Sequence, residues 1–304
     1  MDKKYEKPKD MATALDCAIR DAEGKKGGYV MNERNITYCN YMTNEDWKRF
    51  FDEMPISYKE QFKNSDGNEI EEHTYPPHMA SFGSSSSFIY GLSHEIQSFC
   101  FEKKLDTHVG GDANLDGFLQ RGSEYIYVEA KRREIYGDSH ANEEISEAYL
   151  PVYKKIEKQC EAFSYTQADC NKKGCKKITF VINGKPVAHF DLKQVICHFL
   201  GITYDIAKHP MNDIKVKFLY LLYNPYKSQD SKGIEDKLDE KYKKRVLNRY
   251  TEVQEFIKAN IDQGVFTSIF QAVLNYQIDN GIKINFEMIL VDQDNYKDEF
   301  NQVT

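Results

Sequence analysis

Asn114-Leu-Asp-Gly-Phe-Leu-Gln-Arg-Gly-Ser-Glu-Tyr-Ile-Tyr-Val-Glu-Ala-Lys131 is the stretch that decides how this 304-residue chain is read. Side chains alternate along a strand, so Leu115, Leu119, Ile126, Val128 and Ala130 share one face of a predicted hairpin. Asp116, Phe118, Tyr127, Glu129 and Lys131 share the other. Gly122-Ser123 reads as a two-residue turn. With that turn Arg121 faces Glu124, and the register carries Asp116 opposite Glu129. Directly opposed Cβ atoms lie about 4.5–5.5 Å apart, where like charges repel. A cation between the two carboxylates is the expectation.

An oxygen-preferring divalent ion meets that need, because two carboxylates at this spacing can both reach one Mg²⁺ or Mn²⁺. Lys131 lies two residues past Glu129, about 6.6 Å along the same face, and adds a second positive charge. A metal on a phosphate oxygen lowers the pKa of bound water, while an ammonium orients that water or offsets developing charge. The same spacing also describes an ordinary half-exposed hairpin whose outer face carries an Asp, a Glu and a Lys.

Asp116, twelve intervening residues and then Glu129-Ala130-Lys131 at the end of an apolar strand resemble the PD-(D/E)XK nuclease superfamily, the restriction-endonuclease-like fold. Leu115 stands where that motif is named for proline. Pro77-His-Met-Ala-Ser-Phe-Gly-Ser-Ser-Ser-Ser87 before a helix, Asp191-Leu-Lys-Gln-Val-Ile-Cys-His-Phe-Leu-Gly201 and Phe218-Leu-Tyr-Leu-Leu-Tyr223 resemble a bacterial restriction-endonuclease-like family. The resemblance spans roughly residues 75–225. It implies an α/β fold, a central mixed β-sheet flanked by helices, with extra helices at both ends. It also implies Mg²⁺-dependent hydrolysis of DNA, in a restriction or defence role, with Mn²⁺ able to substitute. Asp116 and Glu129 would hold the metal, the Ala130 carbonyl could assist, and Lys131 would position the attacking water. Gln194 and His198, four apart on the third segment, would frame the site; a helix-surface Gln and a partly buried His read equally well from spacing.

The resemblance also implies a further acid from the helix before the hairpin. Phe88, Leu92, Ile96 and Phe99 recur at helical spacing, so Ser87 to about Cys100 reads as an amphipathic helix. Glu95 falls in the middle of that apolar stripe, and a carboxylate facing a core needs a partner. Glu102 is the rival ligand if Phe101-Glu102 already belongs to the first strand. Glu95 is preferred by its place on the stripe.

The net charge of −7 argues against a protein that coats nucleic acid without specificity. The basic residues nonetheless cluster: Arg132 and Arg133 follow the proposed site, and Lys154, Lys155 and Lys158 come soon after. These five are the expected DNA contacts. Lys172, Lys173, Lys176 and Lys177 extend the basic stretch or form a solvated helix face, while Asp138 to Glu147 carries only acids. No run of roughly 18 apolar residues exists, so no membrane partner is expected, and the charged N-terminus lacks a signal-peptide core. The seven scattered cysteines fit reduced thiols in a cytoplasmic protein, and Cys160, Cys170 and Cys175 do not match a paired-cysteine zinc spacing.

The chain divides into a helical N-terminal elaboration (1–75), a nuclease-like core (76–225) and a C-terminal α/β extension (226–304). Thr43 is the predicted N-cap of a helix carrying Trp47, Phe50 and Phe51. Asn64 to Asn68 is a predicted turn. Helices are predicted over Val152–Phe163, Leu192–Leu200, Asp239–Ile261 and Phe266–Ile278, and strands over Lys177–Ile182, Val216–Tyr223 and Ile282–Val291. No phosphate-binding loop, dinucleotide fingerprint or nucleophile elbow occurs, and Ser84–Ser87 read as helix caps. The expected function is a Mg²⁺-dependent DNA endonuclease, with a homodimer compatible with it. The alternative is a non-catalytic module that binds nucleic acid or protein on the same scaffold.

Overall fold

Segments of period two and of helical period fold as separate layers around one mixed sheet. The computed structural model describes residues 8, 10–30, 37–64, 69–71, 76–137, 143–208, 213–226, 234–278 and 284–291. Helix α1 (Met11–Ala22) opens on Asp10, whose carboxylate accepts the Thr13 N–H at 2.7 Å. Strands β1 (Gly27–Val30) and β2 (Thr37–Met42) pair antiparallel, a hairpin that an all-helical reading of residues 1–75 lacks. Helix α2 (Asn44–Glu53) starts at Thr43, whose side chain accepts the Asp46 N–H as the cap pattern predicts, and α3 (Ile56–Asn64) follows. Residues 65–68 of the predicted turn lie outside the described residues.

Helix α4 (Ser85–Ser93) is capped by Ser84, whose hydroxyl accepts the Ser87 N–H at 3.1 Å. It ends seven residues before the predicted limit. Ser98 takes φ +65°, and the Phe99 N–H bonds to the Ile96 carbonyl three residues back. Ile96 and Phe99 therefore keep their apolar contacts through a turn, which the helical spacing alone did not distinguish from a last helical turn.

Strands β3 (Cys100–Asp106), β4 (Asp112–Arg121) and β5 (Glu124–Lys131) form an antiparallel meander. Gly122 supplies the left-handed φ of +58° at the predicted turn, and Arg121 pairs with Glu124. The β4–β5 ladder runs to Gly117 and Val128, so Asp116 and Glu129 stand one step beyond its last pair. Gly117 has a second reason to be glycine: a Cβ there would lie 2.3 Å from the Phe99 ring.

Next come β6 (Glu143–Ser146), α5 (Leu150–Gln159), β7 (Phe163–Asp169), β8 (Cys175–Ile182) and β9 (Lys185–Pro186). Pro151 falls in the first turn of α5, where its missing N–H costs nothing. Phe163, predicted to end this helix, instead begins β7 and is buried there. These strands make a small outer sheet, ordered β6-β8-β7 with β9 on β8. The chain returns through α6 (Leu192–Lys208) to β10 (Lys215–Leu222), then α7 (Glu240–Asp262), α8 (Val265–Gln277) and β11 (Asn285–Val291).

The central sheet has the order β11-β10-β5-β4-β3, with β10 parallel to both β5 and β11. Every β5 residue after Glu124 is buried, as for a strand covered on both faces. The protein is thus an α/β structure with a mixed central sheet flanked by helices. No helix among the described residues is long and apolar enough to cross a membrane.

Helix α6 sits tightly on the meander at Gly201, where a Cβ would lie 2.8 Å from the Ala113 Cβ and 2.9 Å from the Leu105 Cβ. Gly201→Ala should therefore lower stability by about 1–3 kcal/mol, the usual cost of overpacking, even though alanine favours helix. Urea unfolding measures this, and an unchanged or raised midpoint would mean that α6 packs more loosely.

Candidate active site

The end of the β4–β5 hairpin gathers its charged residues into a cleft of about 290 Å³. Asp116, Glu129, Ala130, Lys131 and Gln194 all line it, with Ser84–Ser86 from the start of α4. Asp116 does not continue the backbone ladder. Its Oδ2 accepts the Ala130 N–H at 2.6 Å, so the carboxylate itself occupies the place of a strand carbonyl. This bond pins the Asp116 carboxylate beside the Glu129–Lys131 segment.

Glu129 and Lys131 are buried and bound to each other. The Lys131 ammonium lies 2.7 Å from Glu129 Oε1 and donates to Gln194 Oε1 at 2.7 Å. Those contacts use two of its three N–H groups, and one remains for a ligand in the cleft. Gln194 is held in turn by the start of α6, its N–H donating to Asp191 Oδ1 at 2.8 Å. His198, one turn further along α6 and also buried, places Nε2 2.9 Å from Glu129 Oε2. The pair is close but not well aligned for a hydrogen bond, and among the described residues no other donor reaches Glu129 Oε2. Gln194 thus stands against Lys131 and His198 against Glu129.

Glu102 is the third acid. It lies on β3 one step between the pairs Phe101–Gly117 and Lys103–Leu115, which sets it across from Asp116. Its φ of +52° departs from strand geometry, and Oε1 accepts the Ser86 hydroxyl at 3.1 Å. The preference for Glu95 is corrected: α4 stops at Ser93, and the Glu95 side chain is 89% exposed beside His94, against 3% for Glu129. With the helix ended, nothing carries Glu95 toward the sheet.

The charges resolve into one restless acid and one settled pair. Loss of solvation, then Glu129 and Glu102, raise the Asp116 pKa well above its ordinary 3.8, against the pull of Lys131. Burial opposes the Glu129 charge too, but Lys131 and His198 outweigh it and lower its pKa to about 2. Burial likewise works against Lys131, and Glu129, Glu134 and Asp116 hold its pKa well above the ordinary lysine value. An ionised Glu129 next to an Asp116 that resists ionising alone is a donor set that suits a hard dication: all oxygen, with excess negative charge.

The expected DNA contacts fare unevenly. Arg132 is buried, its guanidinium 4.8 Å from the Tyr223 ring centre and 5.4 Å from that of Phe88, with Glu23 at 3.4 Å, so it is a packing residue. Arg133 lines the cleft but is paired with the fully buried Asp16 at 3.0 Å. Lys154, Lys155 and Lys158 ride on α5, which packs on α8 and β7, and none of them lines the cleft. The basic run is not a helix face either, because it belongs to β8 and the turn before it. There it pairs with the acidic run: Lys172 with Glu144 at 3.6 Å and Lys176 with Glu147 at 3.6 Å.

Several cleft residues escaped the sequence reading. Glu134 accepts the backbone N–H groups of Arg132 and Arg133 at 2.9 Å each and the Ser85 hydroxyl, tying the hairpin end to α4. Asp16 also accepts from Asn40 at 3.1 Å, and a Cβ at Gly83 would collide with its Oδ1, so Gly83 is needed for this close approach. Only Glu134 carried a signal, as an acid just past Lys131-Arg132-Arg133; Asp16 lies more than a hundred residues away in sequence. No family model matches the chain, nor does any curated protein or solved structure.

The raised Asp116 pKa has a signed consequence for the metal-free protein. An acid whose folded pKa is raised leaves stability untouched below its ordinary value, lowers it progressively between that value and the raised one, and adds no further loss above it. Asp116→Asn removes that penalty yet keeps an oxygen for the Ala130 N–H. In chelator, the variant should melt with the wild type near pH 4 and increasingly above it as pH rises. A melting difference independent of pH would mean that Asp116 is not charge-strained.

Proposed function

We propose that this chain is a Mg²⁺-dependent DNA endonuclease with a restriction-endonuclease-like core. The observation that carries this reading is Asp116, Glu129 and Lys131 lining one cleft at the open end of the β4–β5 hairpin, with Glu102 near enough to raise the Asp116 pKa. The order α4, β3–β4–β5, α6 and a β10 parallel to β5 supports it. Asp116 and Glu129 would hold the metal, with Glu102 beside them. Bound there, it would bind a phosphate oxygen and lower the pKa of water.

The chain's own residues supply the rest. Lys131, steadied by Glu129 and Gln194, aims its remaining N–H into the cleft, where it orients a water or offsets charge on a phosphate oxygen. Gln194 accepts a second hydrogen bond from the ammonium and so fixes its direction. His198 stands 2.9 Å behind Glu129 Oε2 and, with Lys131, favours the charged carboxylate. Ser85, Ser86 and Glu134 brace the wall, and Arg133 offers the cleft a guanidinium for the phosphate backbone.

A second reading, a non-catalytic binding module on the same scaffold, is favoured by one observation: Arg132 and Arg133 are engaged internally and the α5 lysines lie away from the cleft. Incubation with supercoiled, linear, single-stranded and branched DNA, with and without Mg²⁺, separates the two. Metal-dependent cleavage supports the nuclease; binding without cleavage of any form supports the module.

Asp116→Ala and Glu129→Ala should each abolish cleavage while the chain stays folded, and wild-type rates in either would end the assignment. Lys131→Arg keeps the charge but cannot fit a compact ammonium's place between Glu129 and Gln194, so cleavage should fall by about a hundredfold or more with little change in DNA affinity. Glu102→Gln should weaken Mn²⁺ binding in calorimetry and slow cleavage together, whereas Glu95→Gln should change neither. Equal effects at both positions would remove Glu102 from the site.

A further inference from the structure

The outer sheet assembles a second set of ligand atoms, independent of the nuclease reading. β7 and β8 pair with Asp169 against Lys176, and one further step along the same register sets Cys170 opposite Cys175. On the other side of β8, Ser146 pairs with Cys175 and Glu144 with Lys177. Opposed residues share a sheet face and so do residues two apart, so Cys170, Cys175 and Glu144 emerge on one face of three adjacent strands. Gly174, at φ +74°, makes the tight turn that brings the two cysteines together, and the Cys175 N–H closes it on the Lys172 carbonyl at 3.3 Å.

Both Sγ atoms and a Glu144 carboxylate oxygen lie within 4.8 Å of one another. Tetrahedral Zn²⁺, with bonds of about 2.3 Å to sulfur and about 2.0 Å to oxygen, needs its ligands about 3.5–3.8 Å apart, within reach of small side-chain rotations. Thiolates select Zn²⁺ over Mg²⁺, and three protein ligands leave a fourth position for water. We propose that Cys170, Cys175 and Glu144 form a Zn²⁺ site that staples β6 to the β7–β8 turn. Lys172, whose ammonium stands 3.6 Å from Glu144 Oε2, occupies the cation's side of the cluster; its side chain is 79% exposed and swings away at little cost. The metal would join the acidic segment before Glu147 to the basic turn through more than exposed ion pairs.

Co²⁺ is the probe, because thiolate ligation gives it near-ultraviolet charge-transfer absorption that Mg²⁺-type oxygen sites lack. Titrated into the reduced full-length protein, Co²⁺ should raise this band to saturation at one equivalent, and Zn²⁺ should erase it. Cys170→Ser and Cys175→Ser should each abolish the band. Glu144→Gln, at an exposed position that leaves folding intact, should weaken Co²⁺ binding by about tenfold or more, since even residues behind a ligand cost about that much. Asp116→Asn should leave the band unchanged, which keeps this outcome separate from that of the nuclease site. Absence of a saturating band in the wild type, its survival in either cysteine variant, or its loss in Asp116→Asn overturns the proposal.

Discussion

The rest of the structure depends on two carboxylates and an ammonium held at the end of a hairpin whose second strand is buried on both faces. Ions withdrawn from water are costly, and a buried pair seldom repays that cost in stability. Glu129 and Lys131 therefore survive in the core only inside a network. Gln194 and His198 reach them from α6, and Ser86 ties Glu102 from α4. Asp116 is the member left without its own cation, its charge opposed by both neighbouring acids. A fold selected for stability alone would replace such a cluster with apolar packing. Its place at the floor of a cleft is what the proposed function rests on.

The surrounding parts follow from holding that network still. Gly201 lets α6 approach the meander closely enough for its side chains to arrive at the right depth, and Gly83 lets the segment before α4 close over the Asp16–Arg133 pair. The N-terminal helix thus backs the site from outside the cleft, because Asp16 and Glu23 hold the two arginines that follow Lys131. Arg132 lies between Phe88 and Tyr223, so its charge serves to lock α4 against the end of β10. Segments far apart in the chain thus share one electrostatic arrangement.

Charge elsewhere is arranged for self-neutralisation. The acids on and just after β6 pair with lysines of the β7–β8 turn and the start of β8, and exposed pairs of this kind contribute little to stability and are screened by salt. What this pairing does is remove a basic surface that linear charge patterning suggests. The positive field left near the cleft comes from Arg133 and Lys131, both already restrained by acids, which directs attraction toward the site itself.

The sequence alone determined the elements whose information is local. The hairpin register followed from Gly122-Ser123 and strict alternation, and it set Asp116 beside Glu129. The Thr43 cap, the interior strand β10, and helices α7 and α8 followed equally from capping chemistry and periodicity. Tertiary structure alone decided the choice between Glu102 and Glu95, because an apolar spacing of three and four is met by a turn as readily as by a helix. It alone turned Arg132 inward, and it alone brought Cys170, Cys175 and Glu144 together, since that meeting requires β6 to pair with β8 across a helix and a strand. Alternation and caps are properties of neighbouring residues; which carboxylate completes a site depends on where distant segments cross.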